Sequence, residues 1–105
     1  MISCFAKDEA GTVVGGAIGR WWGDCCELQQ LWVAEPHRQQ GIGKQLMDAF
    51  ETKAKQHGCK QFFLETFSFQ SPEFYKTLGY SVDYQRAGFP QGIVKYLMSK
   101  SLEEV

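Results

Sequence analysis

Between Val33 and Ile42 the spacing of apolar residues changes from two to about four, and the chain makes that change through Pro36, Gly41 and Gly43. A strand that feeds through glycines into an amphipathic helix restricts the fold to a sheet with a helix packed on it. Upstream, Met1–Ala6, Thr12–Trp22 and Cys26–Val33 have the apolar alternation of strands, separated by turns at Asp8-Glu9-Ala10-Gly11 and Gly23-Asp24. Gly15, Gly16 and Gly19 in the middle strand point to a bulge or a close backbone approach. Downstream, Ile42, Leu46, Phe50 and Ala54 fall four apart with Met47 and Ala49 beside them, while Lys44, Asp48, Glu51 and Lys55 take the other faces. Gly58 is a natural stop, which gives a helix about 24 Å long.

The remainder reads as a strand over Gln61–Phe67, a short helix and a hairpin. The short helix has Ser71 as N-cap, Pro72 as its first residue and Gly79 just past its last turn. Strands over Tyr80–Arg86 and Ile93–Ser99 flank the loop Gly88-Phe89-Pro90-Gln91-Gly92. The order is β-β-β-α-β-α-β-β, an α+β fold (α/β, three-layer-like) with a mixed, mainly antiparallel sheet. With 105 residues the chain has room for one core, so residues 1–105 form a single domain.

A formal net charge of −1 with no basic block disfavours nucleic-acid partners, whose phosphates call for clustered cations. No apolar run approaches the roughly 20 residues that span a bilayer, and the start lacks the basic and apolar regions of a signal peptide. The expected location is the cytoplasm. Cys4, Cys25, Cys26 and Cys59 form no C-x-x-C pair and have no histidine at ligand spacing, so no metal is expected. Adjacency makes a Cys25–Cys26 disulfide strained.

The strand-to-helix junction, Leu31-Trp32-Val33-Ala34-Glu35-Pro36-His37-Arg38-Gln39-Gln40-Gly41-Ile42-Gly43-Lys44, carries the most chemistry. A helix N-terminus leaves amides unpaired and carries the positive end of the macrodipole. Glycines remove the Cβ atoms that would keep a pyrophosphate from those amides, and Arg38 and Lys44 add charge. A Walker A loop is excluded, because Arg38 and Gln45 stand where it needs Gly and Ser or Thr. A dinucleotide fingerprint is excluded by Leu46 in place of its third Gly. On spacing alone, the two glycines suit a tight turn without a ligand as well as one with it.

Arg38-Gln39-Gln40-Gly41-Ile42-Gly43 resembles the (Gln/Arg)-x-x-Gly-x-(Gly/Ala) motif of the GNAT superfamily of N-acetyltransferases. Phe74-Tyr75-Lys76-Thr77-Leu78-Gly79-Tyr80 is similar to that family's second signature, a Tyr on a short helix followed by Leu-Gly-aromatic. The two stand in the family's order with a strand between them. The resemblance implies acetyl-CoA as co-substrate, its pyrophosphate held by amides of Gln39, Gln40, Gly41, Ile42, Gly43 and Lys44. It also implies that the strand end Leu31-Trp32-Val33 pairs with the pantetheine arm through backbone groups of Leu31 and Val33, in a slot where strands ending at Val33 and near Thr66 splay apart. Ser68 stands where many relatives carry Asn and would bond the same arm.

Acetyl transfer to an amine needs a neutral amine, a polarised thioester carbonyl and a proton for the departing thiolate. The resemblance assigns the proton to Tyr75, whose ordinary pKa of about 10 is close to that of a thiol. Tyr75 is equally suited to core packing beside Phe74 and Leu78. Glu27, eleven residues before Arg38, resembles the catalytic glutamate of histone-directed relatives. By simple alternation it shares a face with Gln29, Leu31 and Val33, and it also reads as a solvated strand-start glutamate. Glu65 is a second carboxylate candidate, while His37 and His57 read as incidental.

Complete family members carry a strand and two helices ahead of the strand that Met1–Ala6 resembles, so the chain reads as an N-terminally short form. The implied activity is acetyl-CoA-dependent N-acetyltransfer to a primary amine of a small molecule or protein. The alternatives are an acyl-CoA-binding module or regulatory subunit without turnover, and a truncated domain with no dedicated role. An uncovered aromatic sheet face implies a homodimer.

Overall fold

The computed structural model describes residues 1–102. Six strands form one sheet: β1 Ile2–Lys7, β2 Val13–Trp22, β3 Cys25–Val33, β4 Gln61–Phe67, β5 Ser81–Arg86 and β6 Lys95–Ser101. Two α-helices, α1 Ile42–Gln56 and α2 Pro72–Thr77, complete the fold, with 3-10 turns over Glu35–His37 and Pro90–Gly92. The order across the sheet is β1-β2-β3-β4-β6-β5, and every neighbouring pair is antiparallel except β3–β4. The element order matches the sequence reading. The last strand lies about two residues later than expected, because the turn at Pro90–Gly92 uses up the chain before it.

Apolar stripes place both helices on the same face of the sheet. Leu46, Met47, Phe50 and Ala54 of α1 sink into a core with Ala17, Cys26, Leu28, Phe62, Leu64 and Met98. Phe74 and Tyr75 of α2, with Leu78 just past its end, pack against that same cluster. The described residues thus form the expected α+β arrangement of a mixed sheet with both helices on one face. Ala49 is exposed rather than core-facing, and Glu51, expected on a polar face, is buried. Gly58, at φ +87°, ends α1 as expected, and Gly79, at φ +97°, ends α2. Ser71 stands at the N-cap of α2, but its side chain makes no capping bond.

Glycines in β2 let α1 lie close. A Cβ on Gly19 would come within 2.2 Å of the Glu27 carbonyl and 2.6 Å of the Phe50 ring. The register of β2 against β3 shifts at this point, from Ile18–Gln30 to Gly19–Leu28, leaving Gln29 as the extra residue of a bulge. That bulge overturns the simple alternation. Leu31 and Val33 face the helices together with Cys26 and Leu28, since Val33 pairs with Gly15, whose Cβ would meet Leu46 and Ile42 of α1. Glu27 therefore does not share their face. It points the other way, where Arg20 meets it at 2.9 Å.

Candidate active site

β3 and β4 are paired only at Cys25–Gln61, Cys26–Phe62 and Glu27–Phe63. Beyond Glu27 the strands part, because β3 turns through the Gln29 bulge while β4 stays zipped to β6 along its whole length. The gap is a cleft of about 740 Å³ that runs from Leu28 to the start of α1 and is walled on one side by Phe74 and Tyr75. This is the slot expected between the strand ending at Val33 and the one ending near Thr66.

At the mouth of the cleft the loop turns twice through left-handed residues, Gln39 at φ +65° and Gly41 at φ +79°. The first backbone bond of α1 runs from the Gln45 amide to the Gly41 carbonyl. The amides of Ile42, Gly43 and Lys44 are therefore without an acceptor inside the helix, beside a dipole that favours an anion. A Cβ on Gly43 would sit 3.4 Å from the Phe74 ring, an ordinary van der Waals contact, so the loop lies directly against α2. These are the features a pyrophosphate requires: free amides, no blocking side chain and nearby cations.

Of the residues expected to hold the coenzyme, Leu31, Trp32, Val33, Arg38, Gln39, Gly41, Ile42, Gly43 and Lys44 all line the cleft. Gln40 does not. Arg38 reaches back to donate from Nε to the Val33 carbonyl at 2.9 Å, which ties the loop to the strand end and leaves that oxygen a second lone pair. Lys44 pairs with Asp48 at 2.9 Å, one turn along the helix. Ser68 lies outside the cleft. Its amide and hydroxyl are both taken by the backbone of Val94, the former donating at 2.7 Å and the latter accepting at 3.0 Å. Its place at the rim is filled by Gln70, whose Oε1 accepts from the Phe67 amide at 2.8 Å and from the buried Thr66 hydroxyl at 3.2 Å. The sequence reading missed Gln70, because a glutamine inside a Phe-Gln-Ser turn carries no spacing signal.

Tyr75 borders the cleft, and its hydroxyl has no hydrogen-bond partner among the described residues. Burial pushes its phenol above the ordinary value of 10.0, so the proton is firmly held at neutral pH. Glu27 sits at the apex, in the last β3–β4 pair, within a second hollow of about 500 Å³ on the face away from the helices. Trp22, Phe63 and the ion-paired Arg20 share that hollow. Glu65 lines the main cleft and is bound to Lys95 at 2.9 Å. His57 stacks on Trp21, ring centroids 4.3 Å apart, and His37 lines the cleft mouth.

All four cysteines are free thiols. Burial and the neighbouring Cys59 push the Cys26 thiol up to about 12, which removes it as a nucleophile. Among the described residues no group of three or more His, Cys, Asp or Glu could hold a metal, and no helix is long and apolar enough to cross a membrane.

The acetyltransferase (GNAT) family model matches residues 2–80. The chain belongs to that family. As a member it is an acyltransferase of the class that moves groups other than aminoacyl groups. It is 32% identical over 99 residues to the blasticidin-S acetyltransferase of Streptomyces morookaense, covering 93% of this chain and 73% of that protein. The crystal structure of an acetyltransferase from Bacillus cereus superimposes with a TM-score of 0.91 at 37% identity, covering 96% of this chain and 72% of that one. A second similar structure, from Bacillus anthracis, is described as a streptothricin acetyltransferase in complex with acetyl coenzyme A. It has a TM-score of 0.82 at 18% identity, covering 94% of this chain and 61% of that one, and at that identity it speaks for the fold.

Proposed function

We propose that this acetyltransferase domain moves an acetyl group from acetyl-CoA to a primary amine, with Tyr75 as general acid and Glu27 as general base. The observation that carries the reading is the cleft itself. It has free helix amides at one end, open strand backbone along one side and the half-buried Tyr75 phenol on its wall. Bound there, acetyl-CoA would supply an activated thioester. The chain's own groups do the rest. Amides of the Gln39–Lys44 loop hold the pyrophosphate, and backbone of Leu31 and Val33 holds the arm as an added strand would. Glu27, exchanging Arg20 for the incoming ammonium, takes its first proton through water. As the C–N bond forms and the C–S bond breaks, the Tyr75 hydroxyl gives its proton to the leaving sulfur, and the second nitrogen proton returns to the Tyr75 oxygen.

Small-molecule amines are the acceptor class to test first, since a relative with 32% identity is named for the antibiotic it acetylates. The four free thiols suit a reducing compartment such as the cytoplasm. Calorimetry with coenzyme A and a thiol-release assay over a panel of amines test the reading together. Binding and amine-dependent release are the expected results. Binding without release for any amine would leave an acyl-CoA-binding module, and no binding would refute the assignment. Gly41→Val, which forces a branched side chain into φ +79°, and Gly43→Val, whose branch would crowd the free amides beside Phe74, should each weaken coenzyme A binding at least tenfold. Unchanged affinity in a folded variant would move the phosphate site elsewhere.

The chain is also proposed to pair with a second copy of itself through the sheet face opposite the helices. Trp22 is 87% exposed and Phe5 52%, and Phe5 and Trp32 meet over Gly16 on that face. At about 25 cal/mol per Å² of apolar area, a few hundred Å² would contribute several kcal/mol before the entropic cost of association. Light scattering at micromolar concentration should give a dimer for the native chain and a monomer for Trp22→Glu. A native monomer with full activity would refute the pairing.

A further inference from the structure

The mechanism leaves one buried cluster unused. Glu51 is 6% exposed on the inner side of α1, in a layer otherwise made of Phe50, Met47 and Ala54. Its carboxylate accepts from the Tyr80 hydroxyl at 2.9 Å and from the Lys100 ammonium at 2.9 Å. Lys100 also lies over the Tyr80 ring, 5.7 Å from its centroid, and its stem covers Gly79. Three elements are thus tied at one point: the helix that begins at the phosphate loop, the chain just past α2, and β6.

Tyr80 is joined to Tyr75 twice. Its amide donates to the Tyr75 carbonyl at 3.1 Å, and its ring meets the Tyr75 ring edge-on, with centroids 6.0 Å apart at 71°. The positive φ of Gly79 makes this possible, because it reverses the chain and brings residue 80 back beneath residue 75. The α2 helix needs such support. It is six residues long with no side-chain cap bond at its N-terminus, and a helix of that length has little stability of its own. The Tyr75 hydroxyl, for its part, has no hydrogen bond among the described residues to hold it in place.

We infer that Tyr80 is a positioning residue for acetyl transfer, a strut braced on Glu51 and Lys100 that fixes the Tyr75 ring relative to the phosphate end of the cleft. The inference rests on Tyr75 being the proton donor proposed above. General-acid catalysis is sensitive to placement, since a hydroxyl that wanders by about an ångström from the leaving atom gives up much of its advantage. Coenzyme affinity does not depend on where that hydroxyl lies. The strut therefore governs turnover without governing binding.

A double-mutant cycle separates this role from mere packing. Tyr80→Phe, which keeps the ring and loses the bond to Glu51, should lower kcat about tenfold with the KM for acetyl-CoA unchanged. In a Tyr75→Phe background the same substitution should cost nothing further, because the group it positions is gone. Losses that multiply across the two sites would overturn the inference, as would a Tyr80→Phe protein with native kcat. Glu51→Gln retains an acceptor for the Tyr80 hydroxyl and should keep kcat within about threefold, whereas Glu51→Leu should behave as Tyr80→Phe. A measurement without turnover covers the case in which the general-acid role itself fails. In protein labelled with carbon-13 at the tyrosine ζ position, Tyr80→Phe should broaden or split the Tyr75 resonance. One sharp, unmoved Tyr75 line would show that the strut does not hold the ring.

Discussion

Replacing Glu51 by alanine should lower the free energy of unfolding by about 3 kcal/mol, read from urea denaturation. The substitution leaves the Tyr80 hydroxyl as a buried donor without an acceptor, and Tyr80 is only 3% exposed. It also strips Lys100 of its counter-ion, but the Lys100 side chain is 24% exposed and can turn toward water, which limits the loss. For a domain of this size, 3 kcal/mol is a large part of the usual total of about 5–15 kcal/mol. A change below 1 kcal/mol would mean that the three side chains only happen to meet.

Tyr75→Phe should reduce kcat about 100-fold while leaving coenzyme A affinity within twofold, because the ring stays and only the donor is lost. At about 1.36 kcal/mol per tenfold, that is roughly 2.7 kcal/mol of transition-state stabilisation. The pH profile gives a second reading. Burial raises the Tyr75 pKa, so the native enzyme should keep its acid form to above pH 10 and lose kcat only beyond it. The variant should lack that alkaline limb. Equal losses in affinity and turnover would mark Tyr75 as a packing residue instead.

The elements themselves were legible because their causes are local. Apolar residues four apart mark α1, and glycines at 58 and 79 mark where both helices stop. The turn and helix start at the cleft mouth were legible for the same reason, since their residues are contiguous in the chain. Three things were not. The bulge at Gln29 depends on how β3 lies against β2, and one extra residue was enough to reverse which face Leu31 and Val33 occupy. Ser68 was assigned by its position in a motif, but pairing with Val94, 26 residues away, decides where its hydroxyl goes. Glu51 looked like any solvent-facing helix glutamate, because its partners Tyr80 and Lys100 are 29 and 49 residues further along. Long-range partners leave no period in a sequence.

Only three residue pairs join β3 to β4, so the sheet is two half-sheets stitched at one end, β1-β2-β3 on one side and β4-β6-β5 on the other. An amide-bearing arm bound there, as proposed above for the coenzyme, would serve as a removable seventh strand and complete the ladder that the bulge interrupts. Its binding energy is then cohesion for the whole sheet, about 2.7 kcal/mol at a hundredfold excess over Kd. Loading and unloading such an arm would then alternate the domain between a stitched and a continuous sheet, with hydrogen-exchange protection of β3 and β4 expected to rise on loading.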